Sequence, residues 1–308
     1  MKSDLDQLLK ENNADALWVT GPAQHNPAMV YLTGGGHMTQ ADIIKPVDQP
    51  AVLCHAPMER DEAARTGLQT INYSKFPLKD RLKLAEGDRL VAHALMYKNI
   101  FEEIGLTEGN VVVYGKTDAG KHYSLINKLQ ELLPDLNFWG DLDDAVLLQA
   151  MATKEPEEIE RIREMGKIVL QVVSRTADFL TGHKVVNEVL TKSDGLPLLI
   201  GDVKGKINLW LAELGAENPE DTIFAIGRDA GVPHSSGTPS DPIKLGQTIV
   251  FDIFPCEKGG GYFYDFTRTW SLGYATDEAQ SLYDQVKSVY HKVVSDLETG
   301  QNAAHFQD

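Results

Sequence analysis

Two aspartates stand in segments whose other residues are typical of buried strands. Asp252 lies in Ile-Val-Phe-Asp-Ile-Phe, and Asp265, thirteen positions later, lies in Tyr-Phe-Tyr-Asp-Phe-Thr. Aspartate is depleted in strands and is seldom buried alone, because an unpartnered charge in a low-dielectric interior costs several kcal/mol. The pattern indicates that each carboxylate meets a cation or a set of hydrogen-bond donors.

A glycine-rich connection separates the two segments. Residues 257–261 read Glu-Lys-Gly-Gly-Gly and predict a hairpin that places both carboxylates on one face. A like-charged pair of this kind is stable when a divalent cation lies between its members. The alternative, which the pattern leaves open, is that each aspartate caps a turn or pairs with Arg268 or Lys258.

Several segments resemble the creatinase, aminopeptidase P and prolidase family of pita-bread metallopeptidases. VFDIFPCEKGGGYFYDFTRTWSLG is similar to the family signature, and GRDAGVPHSSG, upstream of it, is similar to the segment that carries the active-site histidine. NPAMVYLTGG and APMERDEAART resemble parts of the family's N-terminal domain, and TKEPEEIERIREMG resembles its junction helix. The resemblance spans nearly the whole chain.

The resemblance implies a role for each matching residue. Asp252 is expected to bind one metal ion through both oxygens, and Asp265 is expected to bridge two. His234 is expected to contact substrate and to assist proton movement. The cofactors would be two divalent metal ions, Mn, Co, Zn or Fe. Thr267 and Arg268 are expected to hold the hairpin and its carboxylates in place.

The chain departs from the family pattern in two ways. The interval between the aspartates is longer than usual, which enlarges the turn around Gly259–Gly261. The family's remaining ligands, one histidine and two glutamates, have no counterparts before Asp308, so we expect the catalytic domain to be C-terminally incomplete. His305 stands in a polar segment, ETGQNAAHFQD, and we expect it to be a solvated tail residue rather than a ligand.

The implied activity of the intact protein is that of a metal-dependent exopeptidase of Xaa-Pro aminopeptidase or dipeptidase type. It would hydrolyse peptide bonds near a free N-terminus, and the 308-residue chain is expected to be inactive. Two alternatives stay open: a non-catalytic pita-bread binding protein, and a metal-free amidinohydrolase like creatinase. Retention of both aspartates argues against the second alternative.

The elements that must position these residues form two domains. Residues 1–150 alternate strands and helices and predict an α/β N-terminal domain that resembles that of creatinase. Strands are predicted at 16–20, 29–32, 51–55, 70–73 and 111–114, and a long helix at 81–104. Residues 151–308 are predicted to be the first part of an α+β pita-bread domain, which opens with a long amphipathic helix from Pro156 and ends with a helix over 277–297.

Composition limits the partners of this chain. It carries 29 Lys and Arg against 45 Asp and Glu, a net charge of −16, which disfavours nucleic acid and anionic membrane surfaces. No segment reads as a signal peptide or as a membrane helix. Cys54 and Cys256 are the only cysteines and form no metal-binding spacing, so we expect a cytoplasmic protein. The expected partners are a peptide substrate and, in the intact protein, further copies in a homodimer or higher homo-oligomer.

Overall fold

A computed structural model of the chain describes residues 2–306, apart from the side chain of His305. The prediction that His305 is a solvated tail residue therefore lies outside the described part of the chain. The chain divides into two compact units. The first comprises Met1–Glu164 with Cys256–Phe263, and the second comprises Met165–Pro255 with Tyr264–Asp308. The predicted boundary at residue 150 differs from this division, because the first turns of the following helix and one later segment fold with the first unit.

The first unit is built around a six-stranded mixed sheet in the order β4-β3-β2-β1-β5-β6. Strand β1 pairs in parallel with β5 and antiparallel with β2. The helices of this unit are α1 (Leu5–Glu11), α2 (Pro27–Thr33), α3 (Arg60–Arg65), α4 (Leu78–Leu84), α5 (Arg89–Ile104), α6 (Ala119–Leu132) and α7 (Ala145–Ala152). The strands are β1 (Ala16–Gly21), β2 (Ala41–Pro46), β3 (Val52–His55), β4 (Gln69–Asn72), β5 (Gly109–Gly115) and β6 (Leu136–Gly140).

Helices cover both faces of this sheet. All six residues of β1 are buried, as expected of a central strand with two covered faces. Leu17 joins a core that includes Met29 of α2, whereas its neighbour Trp18 joins a second core that includes Leu129 of α6. The first unit is therefore a layered α/β unit.

Two predictions for this unit are wrong. The predicted strand at 29–32 is helix α2, which begins at Pro27 and ends at Gly34 in the left-handed conformation (φ 80°). The predicted helix over 81–104 is two helices, α4 and α5, separated by a turn in which Glu86 and Gly87 both have positive φ. An apolar run shorter than six residues fits either a strand or a buried helix, and only flanking residues decide between them.

The second unit contains a three-stranded antiparallel sheet in the order β10-β11-β13. Helix α8 (Pro156–Thr181) begins in the first unit and continues here, as predicted from Pro156. The other helices are α9 (Ile200–Glu213) and α10 (Asp277–Asp296). The remaining strands of the chain are β7 (Lys184–Val186), β8 (Val189–Thr191), β9 (Ala216–Glu217), β10 (Ile223–Ile226), β11 (Thr248–Ile253), β12 (Cys256–Glu257) and β13 (Phe266–Ser271).

The sheet of the second unit buries one face. Ile249, Phe251 and Ile253 are fully buried in the core of this unit, whereas the alternate residues of β11 are only partly buried. Phe224 of β10 and Trp270 of β13 flank Phe251 with ring centroids 5.4 and 5.2 Å away. Strand alternation therefore assigns Asp252 to the opposite face of the sheet, away from this core.

The glycine-rich segment 256–263 folds with the first unit. The guanidinium of Arg161 donates two hydrogen bonds to Glu257, of 2.9 and 2.6 Å, and a third to the carbonyl of Gly34 at 3.0 Å. It also stacks over the Tyr262 ring, 4.7 Å from the centroid. The residues that lengthen the predicted turn are thus anchored to this unit by a bidentate ion pair.

Candidate metal and substrate site

Asp252 occupies the less buried face of β11. Its register partner on β13 is Thr267, whose hydroxyl donates a hydrogen bond of 2.6 Å to Asp252 Oδ1. This donor holds the Asp252 carboxylate in a fixed orientation. Thr267 therefore contacts the predicted ligand directly, in agreement with the supporting role expected from the sequence.

Asp265 immediately precedes β13 and is exposed rather than enclosed in a strand. Although the residue is exposed as a whole, partial burial of its carboxyl raises the pKa of Asp265, and the neighbouring charge of Asp252 and a hydrogen bond with its side chain raise it further. The two carboxylates are therefore close neighbours, as the hairpin pattern predicts. Like charges at this separation do not both ionise easily unless a cation or a shared proton lies between them.

Arg268 does not neutralise this pair. Its guanidinium donates to the carbonyl of Thr267 at 2.7 Å and lies over the Phe266 ring, 4.1 Å from the centroid. Within the part of the chain that the structure describes, Arg268 forms no ion pair with either aspartate. The alternative in which Arg268 satisfies the two carboxylates is thus not what the structure shows.

The pair fits a divalent cation in the type of its donors but not in their number. Carboxylate oxygens suit hard and borderline divalent ions. Among the described residues 2–306, no cluster of three or more His, Cys, Asp or Glu side chains is arranged to hold a metal ion. Asp252 and Asp265 would therefore supply part of a coordination sphere.

His234 lies beside the same cavity as Asp252. The cavity has a volume of about 280 Å³, and its lining includes His234, Asp229 and Asp252 together with Val250 of β11. His234 is exposed and adopts a left-handed backbone conformation (φ 60°) in the turn after β10. The structure thus brings His234 and Asp252 to one cavity, whereas Asp265 is not among the residues that line it.

The turn that carries His234 is fixed by two features downstream of it. At Gly237 (φ 84°) a Cβ would lie 2.2 Å from the carbonyl oxygen of Phe224, so only glycine permits the chain to pass this close to β10. Lys204, which is nearly buried, donates to the carbonyl of Ser236 at 3.3 Å and pairs with Asp221 at 2.5 Å. These contacts restrict the path of residues 234–237.

Sequence reasoning missed two residues near this cavity. Asp229 lines it and accepts a hydrogen bond of 3.0 Å from the Thr238 hydroxyl, and its only signal was an acid in a turn. Lys204 gave no signal, because a single lysine in a sequence reads as a solvated side chain.

Comparison with known proteins identifies the relatives of this chain. Residues 160–308 match the sequence profile of metallopeptidase family M24. A curated relative, described as an uncharacterized peptidase of Staphylococcus haemolyticus, is 22% identical over 295 residues, which cover 95% of this chain and 72% of that protein.

Solved structures share the fold. The prolidase from Pyrococcus horikoshii superposes with a TM-score of 0.66 at 18% identity, over 99% of this chain and 74% of that one. The X-Pro aminopeptidase from Thermotoga maritima superposes with a TM-score of 0.63 at 17% identity, over 94% of this chain and 70% of that one. These superpositions support the pita-bread fold predicted for the catalytic part of the chain.

Proposed function

We propose that the chain is a member of metallopeptidase family M24, whose sequence profile residues 160–308 match, and that Asp252, Asp265 and His234 form part of the active site of a metal-dependent exopeptidase. The observation that supports this most strongly is the adjacency of the Asp252 and Asp265 carboxylates, which no cationic side chain of the second unit neutralises among the described residues. The reaction is hydrolysis of a peptide bond near a free N-terminus.

Each residue has a distinct task in this proposal. Asp252 and Asp265 hold the divalent cations, and the Thr267 hydroxyl orients Asp252. When bound, such cations polarise the scissile carbonyl and lower the pKa of an attacking water. His234, which lines the same cavity as Asp252, contacts the peptide and passes a proton to the leaving amine as the tetrahedral intermediate collapses.

The substrate class is taken from the relatives. The names of the similar structures are prolidase and X-Pro aminopeptidase, and we propose peptides with proline next to the scissile bond. Two further expectations accompany this proposal: assembly into a homodimer or higher homo-oligomer, and a reducing cytoplasmic location. The expected reducing location is consistent with the two buried cysteines, Cys54 and Cys256, which the structure does not join in a disulfide. No helix of the described residues 2–306 is long and apolar enough to cross a membrane.

Hydrolysis of Xaa-Pro substrates tests the proposal. The 308-residue chain and the product of the whole reading frame are assayed with Mn²⁺, Co²⁺ or Zn²⁺. Two carboxylates cannot complete the coordination of two cations, so we expect no turnover from the 308-residue chain. If the reading frame continues and supplies further ligands, its product should hydrolyse Xaa-Pro peptides, and Asp252→Asn or Asp265→Asn should abolish this activity.

Four results would contradict the proposal. A reading frame that ends at Asp308, or a longer product that contains no metal by elemental analysis and hydrolyses no peptide, would favour a non-catalytic binding protein. Metal-independent hydrolysis of creatine would favour an amidinohydrolase. Robust Xaa-Pro hydrolysis by the 308-residue chain itself would show that the two-carboxylate ligand set has been misassigned.

A further inference from the structure

A second cavity lies wholly within the first unit, at the carboxyl ends of β1 and β5. These strands are adjacent and parallel, with Thr20 opposite Gly115. The helices that follow them, α2 and α6, pack in different cores on opposite faces of the sheet. In α/β sheets, the point where successive crossovers turn to opposite faces opens a crevice in which ligands bind.

Glycines shape the two strand ends beside this crevice. At Gly115 (φ 123°) a Cβ would lie 2.0 Å from the carbonyl oxygen of Thr20, and at Gly21 (φ 119°) it would lie 2.3 Å from the carbonyl oxygen of Lys116. No other residue type fits at either position without backbone movement. The cavity itself has a volume of about 610 Å³, within the range of small-molecule sites.

Two side chains of the lining carry buried polar atoms with no hydrogen-bond partner among the described residues: Asn26 Oδ1 and His122 Nε2. Asn26 is 1% exposed, and its amide nitrogen already donates to the Thr20 carbonyl at 3.0 Å. Its oxygen therefore still requires a donor. A buried polar atom without a partner costs on the order of 1–3 kcal/mol, so both atoms favour a bound group that supplies hydrogen bonds.

His122 is held in place by packing. Its ring lies 5.4 Å from the Trp18 ring, and burial lowers the pKa of His122 despite the opposing effect of Asp42. A neutral imidazole offers one donor and one acceptor, so His122 Nε2 can bond to a polar group of either kind.

The rest of the lining combines one cation, one anion and an apolar wall. Lys116 and Asp144 provide the charges, and the apolar lining includes Leu147, Leu148 and Met151 of α7. Leu148 is 59% exposed although it is a large apolar residue. A ligand that matches this lining has an anionic group, a cationic hydrogen-bond donor and an apolar side group.

We propose that this crevice binds a free apolar α-amino acid. The carboxylate pairs with Lys116, the ammonium group donates toward Asn26 Oδ1 and Asp144, and the side group packs against Leu147 and Leu148. Asn26 Oδ1 is buried in this structure although Asn26 lines the cavity, so the proposal requires the Asn26 side chain to turn toward the ligand. This inference does not depend on the proposed peptidase activity.

Calorimetric titration of the 308-residue chain with leucine and methionine tests the proposal. Leucinamide lacks the carboxylate and 4-methylpentanoate lacks the ammonium group, so each should bind at least about tenfold more weakly than leucine, the effect of one lost charged hydrogen bond. Amide NMR shifts caused by leucine should concentrate at residues 113–122 and 144–151. Binding of AMP in place of amino acids, or no binding of any probe because the crevice holds water alone, would overturn the proposal.

Matched variants locate the site. Leu148→Arg and Lys116→Gln should each weaken leucine binding about tenfold or more, whereas Leu142→Arg and Lys121→Gln, which alter exposed residues outside the crevice, should not. His122→Phe keeps the ring against Trp18 but removes the unpartnered nitrogen, so it should raise the Tm of the ligand-free protein. Unchanged leucine affinity in both Leu148→Arg and Lys116→Gln, with Tm values that show folded protein, would contradict the proposed site.

Discussion

At the scale of single residues, Asp42 and Asp252 both lie in apolar strands but differ in the groups that surround their carboxylates. Asp42 of β2 is fully buried, and it accepts hydrogen bonds of 2.9 Å from Trp18 Nε1 and from the Tyr97 hydroxyl, and another from Tyr73. Ordinary donors thus satisfy it. Asp252 has one hydroxyl donor and a second carboxylate beside it. What distinguishes Asp252 from Asp42 is therefore the adjacent like charge, not burial, and this difference supports the proposal that Asp252 is a metal ligand.

The sequence could predict the pairing of Asp252 with Asp265 because a hairpin brings its two strands together. It could not predict that Asp265 is exposed and lies just outside β13. That difference depends on where the ladder ends, at the pairing of Ile253 with Phe266, and strand ends are set by long-range contacts. The position of His234 beside Asp252 was predictable only through the family resemblance.

Removing one charge of the pair should separate the effect of charge repulsion on stability from the effect of metal binding. In Asp252→Asn the repulsion with Asp265 disappears, so the metal-free protein should be unchanged or more stable by up to about 1 kcal/mol in urea unfolding. The stabilisation that Mn²⁺ adds to the original protein should be lost. Asp296→Asn, at the exposed end of α10, should change neither quantity. A marked loss of metal-free stability in Asp252→Asn would indicate that Asp252 is structural.

At the scale of elements, the residues at the two ends of a segment distinguish a helix from a strand where the apolar run between them does not. Helix α2 was read as a strand from Met29 to Leu32, yet Pro27 at its start and Gly34 at its end are the usual limits of a helix. Strand β2 was not predicted at all. By contrast, α8 was predicted from Pro156 and the acids after it, because the cap signals and the apolar periodicity agree over many residues.

The glycine run at 259–261 should tolerate alanine poorly. A Cβ at Gly261 would lie 2.1 Å from Glu257 Oε2, the atom that receives the Arg161 guanidinium. We therefore expect Gly261→Ala to lower the free energy of unfolding by about 1–3 kcal/mol. Gly205→Ala, in the middle of α9 with no atom within 4 Å of the added Cβ, should raise it by about 1 kcal/mol. Equal effects of the two substitutions in urea unfolding would argue against the anchored conformation of this segment.

The start of α8 should make stability depend on pH. Burial alone would raise the pKa of Glu158, but hydrogen bonds from the Glu155 amide and the Tyr262 hydroxyl outweigh it and leave the pKa below its usual value. Ionised Glu158 therefore favours the folded state. Its contribution is complete above the unfolded pKa, near 4.5, and disappears as the pH falls through the folded pKa.

Glu158→Gln tests this pH dependence. At neutral pH it should lower the free energy of unfolding by about 1–2 kcal/mol. The difference in this free energy between the variant and the original chain should shrink as the pH falls below the pKa of the Glu158 carboxyl in the unfolded chain. Glu160→Gln, on the exposed side of the same helix, should have a small effect at every pH. A difference for Glu158→Gln that does not change with pH would mean that its charge contributes nothing to folding.

At the scale of the whole molecule, the change of pattern near Pro156 predicts two domains, but it does not predict that residues 256–263 fold with the first unit. That segment is joined to the first unit by pairs such as Arg161 and Glu257, which are 96 positions apart. No local sequence pattern predicts a contact between residues so far apart in the chain. The bidentate ion pair is known only from the structure.

Helix α10 leaves an apolar stripe exposed. Leu282, Val286 and Tyr290 recur every four residues, and each is more than 60% exposed. Exposed apolar area of this kind promotes self-association. We expect sedimentation velocity to show concentration-dependent association of the 308-residue chain, and Val286→Lys to reduce it. Gln285→Lys makes the same charge change outside the stripe and should reduce it less. Equal effects of both variants would show that net charge, not the apolar stripe, controls association.

We propose that Asp252 and Asp265 are ligands of a divalent cation, and paramagnetic broadening by Mn²⁺ tests this even if binding is weak. Substoichiometric Mn²⁺ is added to the ¹⁵N-labelled chain, and amide peak intensities are followed. We expect amides around Asp252, Asp265 and Thr267 to lose intensity first, and Asp252→Asn and Asp265→Asn each to remove this preference. Equal broadening at other acidic sites, such as Asp277 and Glu278 at the start of α10, or an unchanged pattern in the two variants, would contradict it.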